Sequence, residues 1–227
     1  MARTIIVGDI HGCRDELVAL LERVGFDSDD RLFTVGDHVV RGPAPRRTLD
    51  LLERLGARGV RGNHEDRLLR WRKEHGESAG GAITKATGKM LRKRHFKWME
   101  RLPLWIDLPE HDLTIVHAGV VPGLPLSQQA PRVLMYVRCL GAGNEALEGR
   151  GRVPWGERYE GPTHLVFGHN ALPEPQLHRW ATGIDTGAVY GGRLTALVLR
   201  EGERLPAVAD RNDVLVSVPA RRAYFPR

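Results

Sequence analysis

Apolar and polar positions follow two different rhythms along the first third of the chain. Residues 3 to 8 form a short apolar run that is typical of a buried strand. The segment 14 to 24 carries apolar residues at spacings of three and four, which indicates an amphipathic helix. Residues 32 to 35 predict a second strand, and the next helix begins near Pro45, because proline is favoured in the first turn of a helix. The pattern predicts an α/β fold.

The second half of the chain changes to strands with short connections. A short strand is predicted at 59 to 61, and later ones at 113 to 116, 164 to 167, 184 to 187 and 193 to 199. After Glu201 we expect a turn and a final pair of strands.

Two segments look like additions to this framework. The stretch 76 to 88 is rich in Gly, Ser, Ala and Thr and leads into a basic helix at about 89 to 101, so we expect 76–101 to be an insertion over the functional site. Residues 141 to 163 are rich in Gly, Glu and Arg and predict a long surface loop. At 227 residues, the chain 1–227 is expected to form one domain.

Composition and charge narrow the class of protein. Hydrophobic residues make up 41% of the chain, which suits a globular protein, and no apolar run approaches the ~20 residues that cross a bilayer. The formal charge of +6 favours an anionic substrate or partner. The basic residues between Lys89 and Lys97 are better explained as a solvated helix face, although a patch that binds nucleic acid stays open. No pattern indicates an oligomeric state.

The two cysteines, Cys13 and Cys139, cannot form a disulfide framework. The chain also starts directly in a strand-like segment, without the features of a secretory signal. We therefore expect a reduced, cytoplasmic setting.

Side chains that can bind metals follow the predicted strands, and each lies near a glycine. They are Asp9, His11, Asp37, Asn63, His64, His117 and His169. Loops at the carboxyl ends of strands converge in α/β proteins, so we expect these side chains to lie together. The remaining histidines are interpreted as packing or surface residues: His38, His75, His95, His111, His164 and His178.

The ligand types favour a pair of divalent metal ions. Carboxylate, imidazole and amide oxygen suit manganese, the expected metal, with iron, zinc, cobalt or nickel as alternatives. One ion could take Asp9, His11 and Asp37, with Asp37 bridging to the second. The second ion could take Asn63, His117 and His169.

Five blocks in this order resemble the signature of the phosphoprotein-phosphatase family of metallophosphoesterases, over residues 5 to about 199. The blocks are Gly8-Asp9-Ile10-His11-Gly12, Gly36-Asp37-His38-Val39-Val40-Arg41-Gly42, Gly62-Asn63-His64-Glu65, His117-Ala118-Gly119 and Gly168-His169. The resemblance implies a calcineurin-like fold, a two-sheet β-sandwich flanked by helices. It also implies the metal ligands given above, a catalytic His64 near the leaving-group oxygen, and phosphate-binding by Arg41, Arg138 and Asn63. Arginine suits this task because its planar fork binds two phosphate oxygens.

The second block departs from the pattern of protein phosphatases at Val40, where they carry an aspartate that supports the catalytic histidine. Without that carboxylate His64 should be a weaker proton donor, which matters least for leaving groups such as nucleoside phosphates. The departure resembles ApaH-like phosphatases and symmetrical diadenosine tetraphosphate hydrolases. The segments 116–126 and 135–138 also resemble those enzymes.

We therefore expect a phosphohydrolase of ApaH-like type that cleaves dinucleoside polyphosphates, such as diadenosine tetraphosphate, or related phosphoanhydrides with a metal-activated hydroxide. The alternative is a bacterial or phage-type protein phosphatase that acts on phosphorylated serine, threonine or tyrosine. The expected substrate is thus an anionic phosphorylated one, a nucleotide or a phosphopeptide. RNA-end processing also stays open, and a non-catalytic binding module is least favoured because all six ligands are present. Trp155, Tyr159 and Tyr190 are candidates for base stacking, although core packing is favoured for each.

Overall fold

The structure is a computed structural model that describes residues 2–74, 81–149, 151 and 153–226. Its strands are β1 (Arg3–Val7), β2 (Arg31–Thr34), β3 (Arg58–Gly59), β4 (Trp105–Leu108), β5 (Leu113–Val116), β6 (Cys139–Leu140), β7 (Ala146–Leu147), β8 (His164–Phe167), β9 (Gln176–Leu177), β10 (Ala181–Gly183), β11 (Arg193–Arg200) and β12 (Leu215–Pro219). Its α-helices are α1 (Arg14–Arg23), α2 (Pro45–Arg54), α3 (Asn63–Lys73), α4 (Gly81–Met90), α5 (Lys93–Glu100), α6 (Pro131–Tyr136) and α7 (Trp155–Arg158). Short 3-10 helices lie at Pro109–His111, Leu126–Gln128 and Val208–Val214.

The strands form two five-stranded sheets and a small two-stranded ribbon, β6-β7. The first sheet has the order β12-β11-β1-β2-β3, in which β1, β2 and β3 are parallel. The second has the order β4-β5-β8-β10-β9, in which β5, β8 and β10 are parallel. Each sheet thus has a parallel centre, and parallel strands end at a common edge.

The core between the sheets follows from the alternation of side chains along β1. Ile6 packs in one cluster with Phe33 of the same sheet and with Ile115 of the other. Ile5 and Val7 point to the other face and pack with the apolar side of α1. This arrangement is the predicted calcineurin-like fold, two sheets flanked by helices, and the fold prediction is confirmed.

The segment 76–101 differs from its prediction. Residues 76–80 lie outside the described part of the chain, and the described part forms α4 and α5 rather than a loop and one helix. These helices pack beside α2 and α3, because Ile83, Leu91 and Phe96 join a cluster with Leu49 and Leu68. No residue of the described part of this segment lines the cavity of the candidate site.

The segment 141–163 is also more ordered than a surface loop. It contains β7 and α7, and Trp155 at the start of α7 is 1% exposed. The indole nitrogen of Trp155 donates a hydrogen bond to the carbonyl of Ala118 at 2.9 Å. This hydrogen bond holds the start of α7 against the loop that follows β5.

Most of the histidines left out of the predicted site are packing residues. Four of them are buried: His38, His95, His111 and His164. His178 is half-buried, and His75 lies outside the described residues.

Candidate active site

The predicted ligands gather where the parallel strands of both sheets end. Asp9 and His11 follow β1, Asp37 follows β2 and Asn63 follows β3. From the second sheet, the equivalent positions after β5 and β8 are occupied by His117 and His169. All six side chains are buried. The two sheets therefore bring together residues that are up to 160 positions apart in sequence.

Asp37 lies at the centre of this group. Its Oδ2 is 3.6 Å from His11 Nε2 and 3.9 Å from His64 Nε2, while its Oδ1 is 3.5 Å from His117 Nε2. Among the described residues, every ion pair of Asp37 is with a histidine. A carboxylate with one oxygen toward each histidine group has the geometry of a bridging ligand.

The backbone decides which nitrogen of each imidazole faces the site. His11 Nδ1 lies 3.2 Å from the carbonyl of Val39, and His117 Nδ1 lies 2.8 Å from that of Val35. His169 does the same with its other nitrogen, as Nε2 lies 3.1 Å from the carbonyl oxygen of Tyr136.

Since a carbonyl only accepts, each of these nitrogens carries the hydrogen, and the opposite nitrogen of a neutral ring presents a bare lone pair. Two of these lone pairs, on His117 and His169, face another acceptor. His117 Nε2 is 3.1 Å and His169 Nδ1 is 3.0 Å from Asn63 Oδ1. Acceptors repel one another at such distances unless a cation lies among them, so the donor set fits a metal ion.

The buried carboxylates make the same point. Burial raises the pKa of Asp9 well above its usual value, and the nearby Asp185 and Asp37 raise it further. Burial also raises the pKa of Asp185. Around Asp37 burial acts in the same direction, but the imidazoles of His117 and His64 outweigh it and hold the pKa of Asp37 below its usual range. Divalent cations would offset the cost of burying such charge.

The surrounding backbone is unusual in a way that serves this clustering. His11, Asp37 and His169 have positive φ angles of 49°, 48° and 66°. Left-handed backbone is uncommon for residues other than glycine and concentrates at functional sites. Gly168 has no side chain for a related reason, because a Cβ there would overlap Asp9 Oδ1.

His64 differs from the histidines that are held by carbonyls. Its Nδ1 is buried and has no hydrogen-bond partner among the described residues. Burial lowers the pKa of His64 well below its usual value. The ring lies edge-on to that of His11, with centroids 5.0 Å apart. His64 thus reaches the site without the support that fixes a ligand, and Val40, at φ 74°, offers no carboxylate.

The two predicted arginines both line the cavity above these residues. Arg41 Nη1 is 3.4 Å from His11 Nε2, and its guanidinium lies over the rings of Tyr190 and Phe225. Arg138 donates to the carbonyl of Glu148 at 2.8 Å. Their placement leaves two cationic groups facing the same space as the ligands.

The structure adds acidic residues to the predicted site, and two of them, Asp185 and Glu65, are buried. Asp185 follows β10, as the ligands follow their strands, and it lines the cavity. Glu65 is fully buried and accepts hydrogen bonds from the backbone N–H groups of Asp37, His38 and Gly62 at 2.9, 2.9 and 3.0 Å. The position of Asp185 at a strand end beside a glycine was the available signal.

The cavity has a volume of about 600 Å³, and aromatic rings as well as charged groups line it. Tyr136, Tyr190 and Phe225 contribute these rings. Of the three aromatic residues considered from the sequence, only Tyr190 lines this cavity within the described part of the chain. Trp155 packs against Phe167 and Tyr159 in the core.

Comparison with known proteins assigns the family. The sequence profile of the calcineurin-like phosphoesterases matches residues 2–199. The asymmetrical bis(5′-nucleosyl)-tetraphosphatase PrpE of Geobacillus sp. (strain WCH70) is 30% identical over 247 aligned positions, which span 97% of this chain and 96% of the relative. The enzyme of that name from Halalkalibacterium halodurans is 32% identical, over 96% of this chain and 94% of its own.

Solved structures agree. A crystal structure with the provisional description diadenosine tetraphosphatase superposes with a TM-score of 0.83 and 34% identity, over 96% of this chain and 93% of its own. A serine/threonine phosphatase of Saccharomyces cerevisiae gives 0.62 at 16% identity, over 96% and 79% of the two chains, which shows a common fold. The matched profile and the relatives show that the chain belongs to the calcineurin-like phosphoesterase family and is a metal-dependent hydrolase of phosphoric esters or anhydrides.

Proposed function

We propose that the protein hydrolyses bis(5′-nucleosyl) tetraphosphates asymmetrically, releasing one nucleoside triphosphate and one nucleoside monophosphate. The observation that carries this proposal is the composition of one cavity, in which donors for two cations, Arg41 and Arg138, and aromatic rings lie together. Such a cavity offers partners for phosphates and for bases. The names of relatives at least 30% identical along nearly the whole chain support the asymmetrical cut.

This proposal replaces the symmetrical cleavage expected from the ApaH-like resemblance, because the relatives reported above carry the asymmetrical name. The protein phosphatase alternative draws support only from structures of low identity, such as the yeast phosphatase at 16%. Similarity of that level speaks for the fold and leaves the substrate open.

We propose that Asp9, His11 and Asp37 hold one divalent ion, and that Asp37 with Asn63, His117 and His169 holds the second. When bound, such ions supply Lewis-acid stabilisation of phosphoryl oxygens and an activated water as nucleophile. Manganese is the proposed metal, with iron, zinc, cobalt or nickel as alternatives, because oxygen and imidazole donors are mixed. The carbonyls that hold His11, His117 and His169 keep the correct nitrogen available.

The arginines would bind the phosphoryl group under attack. Arg41 and Arg138 reach the cavity from different segments, so their forks can hold separate oxygens of one phosphate. Asn63 lines the same cavity, and its amide oxygen lies close to His117 and His169. Fixed donors of this kind stabilise the charge that develops in the transition state.

His64 is proposed to lie near the leaving-group oxygen. Its lowered pKa and unpaired Nδ1 leave it neutral near pH 7, so it offers a hydrogen bond rather than a readily lost proton. A nucleoside phosphate leaves as a stable anion and needs little protonation. This feature favours anhydrides over phosphoserine.

The setting is proposed to be cytoplasmic. Both cysteines are free and buried, as a reducing environment permits. Among the described residues, no helix combines the length and the apolar character that crossing a membrane requires. The expected partner is an anionic nucleotide.

Separation of the products of diadenosine tetraphosphate tests the proposal. Equal amounts of ATP and AMP are expected. ADP as the main product would contradict it.

A further inference from the structure

Residues near the C-terminal end of the described chain form part of the active-site cavity. Phe225 and Pro226 line it together with Tyr190. Phe225 is half-buried, so one part of the ring packs on the protein while the rest stays accessible. A C-terminal segment thus contributes directly to the substrate-binding space.

This tail is held in place by specific contacts. The backbone N–H groups of Tyr224 and Phe225 donate to the carbonyl of Val189 at 2.9 and 3.1 Å. The hydroxyl of Tyr224 donates to Glu16 Oε1 at 2.7 Å. Tyr190 forms a β-bridge with Ala223. The position of the Phe225 ring is therefore fixed by the fold.

Phe225 and Tyr190 together make an aromatic wall beside the phosphate-binding residues. The two ring centroids are 6.4 Å apart at an angle of 62°. The guanidinium carbon of Arg41 lies 5.5 Å from the centroid of Phe225 and 5.6 Å from that of Tyr190. Because Arg41 also approaches His11, the aromatic wall begins one guanidinium away from the metal donors.

That spacing matches the build of a nucleotide, in which a base is joined through one sugar to its phosphate. We propose that Phe225 and Tyr190 bind the nucleobase of the nucleotide whose phosphate contacts Arg41. This inference rests on the proposed function and names how that substrate is recognised. Every nucleobase has a flat face that can stack on an aromatic ring, so this wall would accept any base.

A competing explanation is that Phe225 only supports Arg41 through the cation-π contact. The two explanations differ in which ligands lose affinity when Phe225 is replaced. Loss of base stacking weakens the binding of nucleotides and leaves the binding of inorganic phosphate unchanged, whereas a misplaced Arg41 weakens the binding of both.

The test is calorimetric binding of AMP and of inorganic phosphate to the manganese-loaded protein. Phe225→Leu keeps an apolar side chain but removes the flat ring, and Phe225→Tyr keeps the ring. We expect Phe225→Leu to raise the Kd for AMP about tenfold while the Kd for phosphate changes less than about twofold. Phe225→Tyr should bind AMP about as tightly as the wild type. Phe26→Leu is the matched control, because it makes the same change at a partly buried ring that does not line the cavity, and it should bind both ligands like the wild type.

Two results would overturn the inference: equal weakening of AMP and phosphate by Phe225→Leu, or no change for either. Neither depends on turnover. If the wild-type protein fails to cleave dinucleoside tetraphosphates but Phe225→Leu still weakens AMP alone, the proposed function fails and the nucleobase site stands.

Discussion

Three backbone carbonyls set the proton positions of the imidazoles that face the metal site. Those of Val35, Val39 and Tyr136 accept from His117, His11 and His169. The free nitrogens then point at Asp37 or Asn63. His64 has no such carbonyl partner among the described residues. The same residue type is therefore oriented by a carbonyl at the three proposed ligand positions and lacks that partner at the fourth.

The contrast at His64 leads to a prediction about Val40. A carboxylate at position 40, where protein phosphatases have one by the resemblance, would favour the charged imidazole as a proton donor. Val40→Asp is therefore expected to raise kcat/KM on a phosphoserine peptide by about tenfold relative to diadenosine tetraphosphate.

Val40→Asn is the matched control, because asparagine has the same shape and also tolerates the left-handed backbone seen at φ 74°. Steady-state kinetics on both substrates decide the matter. If Val40→Asp and Val40→Asn shift the two substrates alike, the account of position 40 is wrong.

The ligand residues themselves could be predicted, because each follows an apolar run and lies near a glycine. Their carbonyl partners could not, since every residue has a carbonyl and only the tertiary fold selects one. Asp185 shares the local signal of the ligands and was still missed, as its strand was predicted at 184 to 187 but lies at 181 to 183. That shift hid an acidic residue inside a predicted strand.

At the scale of elements, α3 joins two of the loops that form the candidate site, those after β2 and β3. Glu65 in its first turn accepts three backbone N–H groups, from Asp37, His38 and Gly62. It thereby joins the loop after β2 to the start of the helix that carries Asn63 and His64. The negative charge also lies where the helix dipole favours it.

Replacing Glu65 should disturb stability and metal binding together. Glu65→Ala leaves three buried donors unpaired, and each such loss costs about 1–3 kcal/mol, so the free energy of unfolding should fall by about 3 kcal/mol or more. Because Asp37 loses its support, manganese affinity should fall about 10- to 100-fold.

Denaturant unfolding and calorimetric metal titration measure the two effects. Glu22→Ala, on the exposed side of α1, is the control and should change stability by less than about 0.5 kcal/mol. Unchanged metal affinity in folded Glu65→Ala protein would show that Glu65 does not position Asp37.

Elements with clear periodicity were predicted well, and those fixed by distant contacts were not. The segments 113 to 116 and 164 to 167 match β5 and β8. Helix α4 lies mostly where a loop was predicted, and α5 lies within the helix predicted at about 89 to 101. Their partners Leu49 on α2 and Leu68 on α3 are 15 to 47 residues away from Ile83 and Phe96, and local patterns carry no information about such contacts.

At the scale of the whole molecule, two sheets with parallel centres bury histidines far from the site as well as within it. His164 begins β8 and its Nε2 lies 2.8 Å from Thr182 Oγ1. Burial and the neighbouring Arg211 lower the pKa of His164 to about 3, from 6.5. The folded protein thus resists protonation that the unfolded chain accepts.

Stability should therefore fall as the pH drops. Between pH 6.5 and about 3 the unfolded chain binds one more proton at His164, which favours unfolding by up to about 1.4 kcal/mol per pH unit. Above pH 6.5 this contribution is complete and constant. Denaturant unfolding of the metal-free protein across this range measures the slope.

His164→Gln retains a polar group but cannot titrate, so its unfolding free energy should decline less steeply with falling pH. A variant with the same slope as the wild type would refute the assignment to His164.

The central claim is metal-dependent, asymmetrical cleavage of a dinucleoside tetraphosphate at the Asp37 site. Its most direct test is chromatography of the products that the manganese-loaded protein forms from diadenosine tetraphosphate, with kcat/KM compared to phosphoserine and phosphotyrosine peptides. Asp37→Asn is the matched control, because it keeps the shape but removes a charge shared by both proposed cation sites, and it should lower kcat/KM by more than about 100-fold. We expect ATP and AMP in equal amounts and a higher kcat/KM for diadenosine tetraphosphate than for either phosphopeptide. ADP as the main product, a preference for phosphopeptides, or full activity in Asp37→Asn would contradict it.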